Sequence, residues 1–167
     1  MIENLGNLER THSCGALRTD NAGECVTLMG WCARRRDFGP LTFIDLRDRE
    51  GITQIVVNQE NSPDAHAKAK DVRGEYVLTV IGNVVLRDEG ARNPKIATGE
   101  IEVQATEIRI LNDARTLPFQ LDASETALAA EDLRLKYRYL ALRRPQLQST
   151  GQDGSCYSSF GVPRPAD

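Results

Sequence analysis

Three kinds of residue that together suit single-stranded nucleic acid are concentrated between Gly30 and Val57. A run of three arginines, Arg34 to Arg36, is followed by Phe43 and then by Gln54. An aromatic ring can stack on any base, an amide can hydrogen-bond the edge of a base, and guanidinium groups can hold phosphate. These side chains act together only if they lie on one surface, so the elements that carry them decide whether this chemistry is available.

Two strands joined by a turn carry Phe43 and Gln54. Apolar residues alternate through LTFIDLR and ITQIVV, and Asp48-Arg49-Glu50-Gly51 forms the turn between them. A two-residue turn places Phe43 opposite Gln54, and a four-residue turn places it opposite Val56. Both registers put Phe43 and Gln54 on one face. A core then forms on the other face, which carries Ile44, Leu46, Ile55 and Val57.

The order of the predicted elements is typical of an OB-fold. A strand from Cys25 ends in the arginine run before a Phe38-Gly39-Pro40 loop, and the two strands above follow it. A helix that the Ser62 side chain is predicted to cap ends near Gly74, and two further strands follow, the first bent or bulged at Gly82. The sequence therefore predicts a mainly β fold, a five-stranded Greek-key OB-fold barrel with one short helix between strands 3 and 4.

Composition divides the chain into three regions. Residues 1–112 form the predicted barrel, with Leu17 packing its lead-in segment against the core. Residues 113–148 form a linker and a basic hinge, in which a helix extends to about Leu142 before Pro145. Residues 149–167 are rich in Ser, Gly and Pro without periodicity, and this tail is predicted to be disordered.

Composition and motifs also argue against several function classes. The net charge of -3 requires any nucleic-acid site to be a local basic patch. No segment is long enough to span a bilayer, so we expect a cytoplasmic protein without a membrane partner. Common nucleotide-binding and hydrolase motifs are absent, and no catalytic residue is predicted. We expect no metal site and reduced, core-forming thiols, because no CxxC pair occurs among Cys14, Cys25, Cys32 and Cys156.

Three segments of the chain resemble bacterial-type aspartyl-tRNA synthetase. They are GWCARRRDFGPLTFIDLRDREGITQIVV, ATGEIEV at residues 97–103, and LRLKYRYLALRRP at residues 133–145, where Ala141 stands in place of the usual Asp. The resemblance extends from about Arg10 to Gln148. It implies that the barrel is the N-terminal anticodon-binding domain of an aspartate-tRNA ligase, with tRNA as its partner.

The resemblance also implies roles for individual residues. Phe43 would stack on the central anticodon uridine, Gln54 would hydrogen-bond the edge of that base, and Arg36 would contact the anticodon loop. Three further positions would read or hold neighbouring bases: Arg87, Asn93 and Glu102. Phe38 and Gly90 fall where the family separates enzymes specific for aspartate tRNA from those that also charge asparagine tRNA. Phe38 matches neither type, which leaves that choice open.

The catalytic motifs of a class II synthetase do not occur in this sequence, and residues 149–167 resemble nothing in the family. We therefore expect no cofactor in this chain and no aminoacylation by this chain alone. The resemblance implies ATP and Mg²⁺ for the full-length enzyme, which is expected to be a homodimer. The expected partner is aspartate tRNA, with asparagine tRNA as an open second choice, and no DNA.

Two other interpretations remain open from the sequence. The first is a stand-alone OB-fold module that binds single-stranded nucleic acid or a protein partner, which the slightly acidic net charge keeps in view. The second is a fragment whose exposed hinge leads to aggregation or degradation. The arginine run and the hinge arginines also have an ordinary structural interpretation, because charge runs are usually solvated surface.

Overall fold

The computed structural model of the protein describes residues 2–119, 121 and 131–144. The chain divides into two compact units, one ending at Arg115 and the other beginning at Thr116. The predictions for the tail, residues 149–167, and for Pro145 lie outside the described residues.

Five strands form the first unit. They are β1 (Cys25–Phe38), β2 (Leu41–Arg47), β3 (Ile52–Asn58), β4 (Val77–Leu86) and β5 (Ile101–Asn112), and the helix α1 (Pro63–Asp71) lies between β3 and β4 in the chain. The strands close into a barrel in the order β1-β2-β3-β5-β4. Neighbours are antiparallel except β3 and β5, which are parallel. The predicted mainly β, five-stranded OB-fold barrel is confirmed.

The core of the barrel is supplied by the inward-facing residues of its strands. Because side chains alternate across a strand, each strand contributes every second residue to the interior. Leu17 of the lead-in segment is also fully buried in this core, as predicted. The largest buried strand residues are Leu28, Ile44, Leu46, Ile55, Leu78, Ile101 and Ile108.

Strand β1 is longer than the sequence indicates, because it continues through the arginine run to Phe38. The chain then turns at Gly39, whose φ of 72° lies in the left-handed region that glycine tolerates. The register with β2 shifts between Cys32 and Arg34, as at a β-bulge. Beyond the shift Arg34 pairs with Asp45, and so the bulge decides which arginines face outward.

Helix α1 begins as predicted at Pro63, but the predicted side-chain cap is wrong. The Ser62 side chain makes no capping hydrogen bond, and its backbone carbonyl instead accepts from the His66 amide at 2.9 Å. At the other end, the Arg35 guanidinium donates to the carbonyls of the last turn and just beyond it. Its acceptors are Ala69 at 3.4 Å, Lys70, and Val72 at 3.2 Å.

The predicted bulge of β4 at Gly82 is wrong, because the extra residue lies on the facing strand: Ile81 pairs with Glu107 and Gly82 with Ala105, which leaves Thr106 of β5 unpaired in the register. The register between β4 and β5 shifts between Ile81 and Gly82. A Cβ atom on Gly82 would lie 2.3 Å from the carbonyl oxygen of Gln104, so only glycine allows this approach of the two strands.

The described part of the second unit contains two short helices where the sequence predicts one. They are α2 (Glu131–Lys136) and α3 (Arg138–Ala141), separated at Tyr137, whose φ of -112° and ψ of 46° are not helical. Residues two apart do not face each other on a continuous helix. The break allows the Tyr137 and Tyr139 rings to meet edge to face, with centroids 6.4 Å apart.

The cysteines follow the core prediction at two of the three described positions. Cys14 and Cys32 are buried thiols, and burial raises the pKa of each to about 12. Cys25 is exposed at the start of β1, contrary to the prediction, because it faces away from the buried Val26. The described helices include none long and apolar enough to cross a membrane.

Candidate nucleic-acid interface

The β2-β3 hairpin adopts the four-residue turn of the two predicted registers. Arg47 pairs with Ile52 across the turn, and Phe43 lies opposite Val56. Ile44 on β2 and Ile55 on β3 are fully buried. Phe43 and Gln54 therefore share the outer face of the barrel, where both are half-buried.

Asp48 fixes the register of this hairpin. Its Oδ1 accepts hydrogen bonds from the amides of Glu50 at 2.8 Å and Gly51 at 3.0 Å. Its Oδ2 accepts from the Cys14 amide at 2.7 Å, which docks the lead-in segment on the turn. The approach is so close that a Cβ atom on Gly15 would lie 2.2 Å from the Glu50 carbonyl oxygen. These contacts hold the strands that present Phe43 and Gln54 at one register.

Two aromatic rings meet at the end of this face. The Phe38 and Phe43 rings pack edge to face, with centroids 5.6 Å apart and an interplanar angle of 84°. Phe38, the last residue of β1, is 64% exposed. The pair provides a half-buried ring beside a solvent-exposed one, which is a suitable surface for base stacking.

A group of five polar residues lies beside the rings, and we call it the charged cluster. Arg36 Nη2 donates to Asp45 Oδ1 at 2.9 Å, and Gln54 Nε2 donates to Glu102 Oε2 at 3.4 Å. Arg87 Nε lies 4.0 Å from the same Glu102 oxygen, and it donates to the Ile101 carbonyl at 2.7 Å. The charged cluster comprises Arg36, Asp45, Gln54, Arg87 and Glu102.

Burial and mutual electrostatics shift the ionisation of this cluster. Burial lowers the pKa of Arg87, which is 5% exposed, while Glu102 and Asp45 oppose the shift and Arg36 adds to it. Burial raises the pKa of the Glu102 carboxyl, and Arg87 opposes that shift. These four charged groups therefore act on one another across β1, β2, β5 and the end of β4. Two guanidinium groups and two carboxylates leave the cluster formally neutral at pH 7.

Two guanidinium nitrogens of the cluster lack a hydrogen-bond partner in the described part of the chain. They are Arg36 Nε and Arg87 Nη2, and both are buried. Buried polar atoms are nearly always hydrogen-bonded, so an unpaired one requires an explanation. Because neither nitrogen is exposed to solvent, a ligand acceptor could reach it only after the surrounding side chains shift.

The structure assigns different tasks to the three consecutive arginines. Arg34 and Arg36 lie on the outer face, where they pair in register with Asp45 and Phe43. Arg35 lies on the opposite side of the strand and holds the end of α1 through its three carbonyl contacts. Strand alternation separates Arg35 from Arg34 and Arg36, and the bulge before Arg34, which has no clear sequence signal, decides which of them face outward.

Asp45 is the residue of the cluster that sequence reasoning missed. Its position was readable, because it lies two residues after Phe43 and so shares the outer face of β2. An acidic side chain is not expected at a nucleic-acid site, because carboxylates repel the phosphates of a nucleic acid.

Asn93 and Gly90 lie in the loop between β4 and β5. Asn93 Oδ1 accepts from the Lys95 amide at 3.1 Å, and its own amide donates to the Gly99 carbonyl at 3.0 Å, so Asn93 shapes the loop. Gly90 is exposed, and a Cβ atom there would have no neighbour within 4 Å. Within the described residues, no hydrogen bond joins either position to the charged cluster.

The outer face of the barrel and its strand order agree with a known family. The tRNA anticodon family profile, described as an OB-fold nucleic acid binding domain, matches residues 26–111. This chain belongs to that family. The match covers the five strands except for Cys25, the first residue of β1, and Asn112, the last residue of β5. It includes every residue of the charged cluster.

Curated relatives of this OB-fold domain are aspartate-tRNA(Asp/Asn) ligases. The chain is 55% identical over 148 residues to that of Acidobacterium capsulatum, covering 89% of this chain and 24% of the relative. It is 53% identical over 149 residues to that of Syntrophotalea carbinolica, covering 89% and 25%. The chain thus spans about a quarter of the length of these relatives and matches their N-terminal part. The resemblance to aspartyl-tRNA synthetase is confirmed.

The fold also matches a solved synthetase structure. The asparaginyl-tRNA synthetase from Pyrococcus horikoshii, complexed with asparaginyl-adenylate, superposes with a TM-score of 0.71 at 25% identity. The superposition covers 87% of this chain and 31% of that one.

Proposed function

We propose that this OB-fold domain recognises the anticodon loop of tRNA as the N-terminal part of an aspartate-tRNA ligase. The observation that carries the proposal is the shared outer face of Phe43 and Gln54, bordered by the charged cluster. A ring for stacking, an amide for a base edge and the partly exposed Arg36 guanidinium group lie on β1, β2 and β3, in the region that an OB-fold uses for oligonucleotides.

The six predicted tRNA-binding residues each receive a role in this proposal. Phe43 stacks on the central anticodon base, and Gln54 hydrogen-bonds the edge of that base. Arg36 contacts the same part of the loop, and Arg87 and Glu102 hold a neighbouring base. Asn93, which shapes the loop between β4 and β5, would also read or hold a neighbouring base.

We propose that both aspartate and asparagine tRNAs are accepted. Their anticodons share the central uridine that Phe43 and Gln54 would recognise. The exposed Phe38 ring supports tolerance at a neighbouring position, because stacking on an aromatic ring favours no particular base. The names of the curated relatives, which specify tRNA(Asp/Asn), agree with this choice.

The remaining expectations concern the longer enzyme. We propose that ATP and Mg²⁺ serve the chemistry of the full-length enzyme, that the domain itself takes no cofactor, and that the full-length enzyme is a cytoplasmic homodimer. The charged cluster pairs its carboxylates with guanidinium groups, an arrangement suited to an uncharged base edge rather than to a metal ion.

The test is a binding comparison between anticodon stem-loops that differ at one base. Fluorescence anisotropy at one fixed salt concentration would measure Kd for stem-loops with the anticodons GUC, GUU and GAC. We expect GUC and GUU to bind comparably, and GAC to bind about 5- to 150-fold more weakly, the range for losing a specific base contact. Equal binding of all three would contradict anticodon recognition and would favour a general single-strand module.

A further inference from the structure

We infer that Asp45 determines specificity as a positioning residue, by holding Arg36 for contact with a base and keeping it from phosphate. The inference rests on the proposed function and deepens it. The family resemblance assigned no role to Asp45, and a carboxylate on a surface that binds RNA requires a reason.

Geometry ties Asp45 to Arg36 across two strands. Arg36 pairs in register with Phe43, and Asp45 lies two residues further along β2 on the same face. The 2.9 Å hydrogen bond from Arg36 Nη2 to Asp45 Oδ1 therefore runs diagonally across β1 and β2. The two side chains are 37% and 23% exposed, so the ion pair is accessible to a ligand without being fully solvated.

This contact restricts what Arg36 can bind. A guanidinium group has five N-H donors, and an unrestrained one pairs readily with any phosphate. Asp45 occupies Nη2, while the buried Nε remains without a partner in the described part of the chain. Because Asp45 fixes the plane of this partly exposed guanidinium group, a planar base edge with a carbonyl acceptor beside the Phe43 ring can meet its remaining donors more readily than a bulky phosphate on the RNA backbone.

Charge balance has the same effect. Arg36 and Arg87 are offset by Asp45 and Glu102, so the cluster adds no net attraction for RNA in general. Attraction to phosphate is independent of base sequence, so it raises the affinity for correct and incorrect RNAs alike. Asp45 competes with phosphate for Arg36, so an RNA that lacks the right base cannot gain affinity from a phosphate contact with Arg36. Specificity then comes from weaker binding of the incorrect RNA.

The test uses Asp45→Ala and Asp45→Asn with the GUC and GAC stem-loops over a range of salt concentrations. In Asp45→Ala, we expect the ratio of the two Kd values to fall about fivefold, because GAC gains a phosphate contact that GUC does not need. The slope of log K against log salt should steepen by about 0.7 for GAC, the increment for one phosphate contact with a single strand, and should stay unchanged for GUC. Asp45→Asn keeps an acceptor for Arg36, so the ratio should fall less.

Glu107→Gln is the matched control, because it also converts an acid into an amide and removes an ion pair, that with Arg109 at 2.6 Å, outside the charged cluster. It should leave the ratio unchanged. In an Arg36→Ala background, Asp45→Ala should no longer change the ratio, which shows that Asp45 acts through Arg36.

The outcomes separate this inference from the proposed function. Equal binding of GUC and GAC by the unmodified chain would overturn the proposed function. If both Asp45 variants keep the wild-type ratio of the GAC and GUC Kd values, only the role of Asp45 is overturned. If thermal melting shows that Asp45→Ala does not fold, Asp45→Asn decides alone, and an unchanged ratio and salt slope in it would overturn the inference.

Discussion

At the scale of single residues, the most informative side chain is Phe43. A phenylalanine in a strand is usually a core residue, but here its neighbours Ile44 and Leu46 are fully buried and Phe43 is on the outer face. Its ring packs edge to face with that of Phe38, and Phe43 is not among the residues of the hydrophobic core. The position is therefore better explained by binding than by stability.

Replacing Phe43 tests this explanation. Phe43→Ala should weaken binding of the GUC stem-loop by about 1–3 kcal/mol, because one base loses its stacking partner. Phe43→Leu keeps an apolar side chain of similar reach without a π face, and it should lose most of the same affinity. Anisotropy titrations measure the binding, and urea unfolding monitors the fold.

If Phe43→Leu binds as tightly as the wild-type chain, the ring contributes only apolar area, and the stacking role is wrong. A large loss of unfolding free energy in Phe43→Leu would instead identify Phe43 as a structural residue.

At the scale of elements, the β-bulge in β1 sets the face of the strand on which each residue of the arginine run lies. It places Arg34 on the outer face and turns Arg35 towards the end of α1. Cations at a helix C-terminus stabilise it, because the last carbonyls are unpaired and the dipole is negative there. One continuous strand thus supplies a helix cap and an outward-facing charge in adjacent residues.

The pair Arg35→Ala and Arg34→Ala tests this division. Arg35→Ala should lower the free energy of unfolding by about 1–2 kcal/mol, because it removes hydrogen bonds from a charged group to three carbonyls. Arg34→Ala, at an exposed position, should change it by less than about 0.5 kcal/mol. The RNA affinity should show the reverse order, with Arg34→Ala flattening the salt dependence. Equal effects of the two substitutions on unfolding would contradict the assignment.

The fold and the shared outer face of Phe43 and Gln54 could be predicted because they depend on local pattern. Strict alternation in β2 and β3 placed Phe43 and Gln54 on one face in either register. The bulge beside Cys32 could not be predicted, because one extra residue reverses the faces of a strand without a mark in its composition. The unpaired nitrogens of Arg36 and Arg87 could not be predicted either, since they depend on burial by residues distant in the chain.

At the scale of the whole molecule, Glu3 joins three parts of the barrel unit. Its Oε1 accepts from Lys68 Nζ of α1 at 2.6 Å, and its backbone amide donates to the Ile110 carbonyl of β5 at 2.7 Å. The hydrogen bond from Lys68 is the main reason that the pKa of Glu3 is lowered. Glu102 has the opposite behaviour, because burial raises its pKa.

These two acids should therefore give stability contributions with opposite pH dependence. The lowered pKa of Glu3 stabilises the fold above its ordinary value of 4.5, and this contribution is lost as the pH falls through the lowered pKa. Glu3→Gln should thus cost about 0.5–1 kcal/mol at pH 7 and little at pH 3. Ionisation of the buried Glu102 destabilises the fold as the pH rises above 4.5. The free energy of unfolding of Glu102→Gln, relative to wild type, should therefore be higher at pH 7 than at pH 3.

Urea unfolding from pH 3 to pH 8 measures both differences. Glu60→Gln, at an exposed loop position, is the control and should show no change with pH beyond the error. Parallel pH slopes for the Glu3 and Glu102 variants would contradict this account.

The parallel contact between β3 and β5 closes the barrel, and it also joins the strands that carry Gln54 and Glu102. The two strands pair at Ile55-Val103 and Val56-Gln104, a short seam beside longer antiparallel ladders. Transient opening of the barrel is therefore least costly at the point where an anticodon base would be bound. A base that bridges Gln54 and Glu102 would close this seam from outside. By thermodynamic linkage, RNA binding and barrel closure would then stabilise each other.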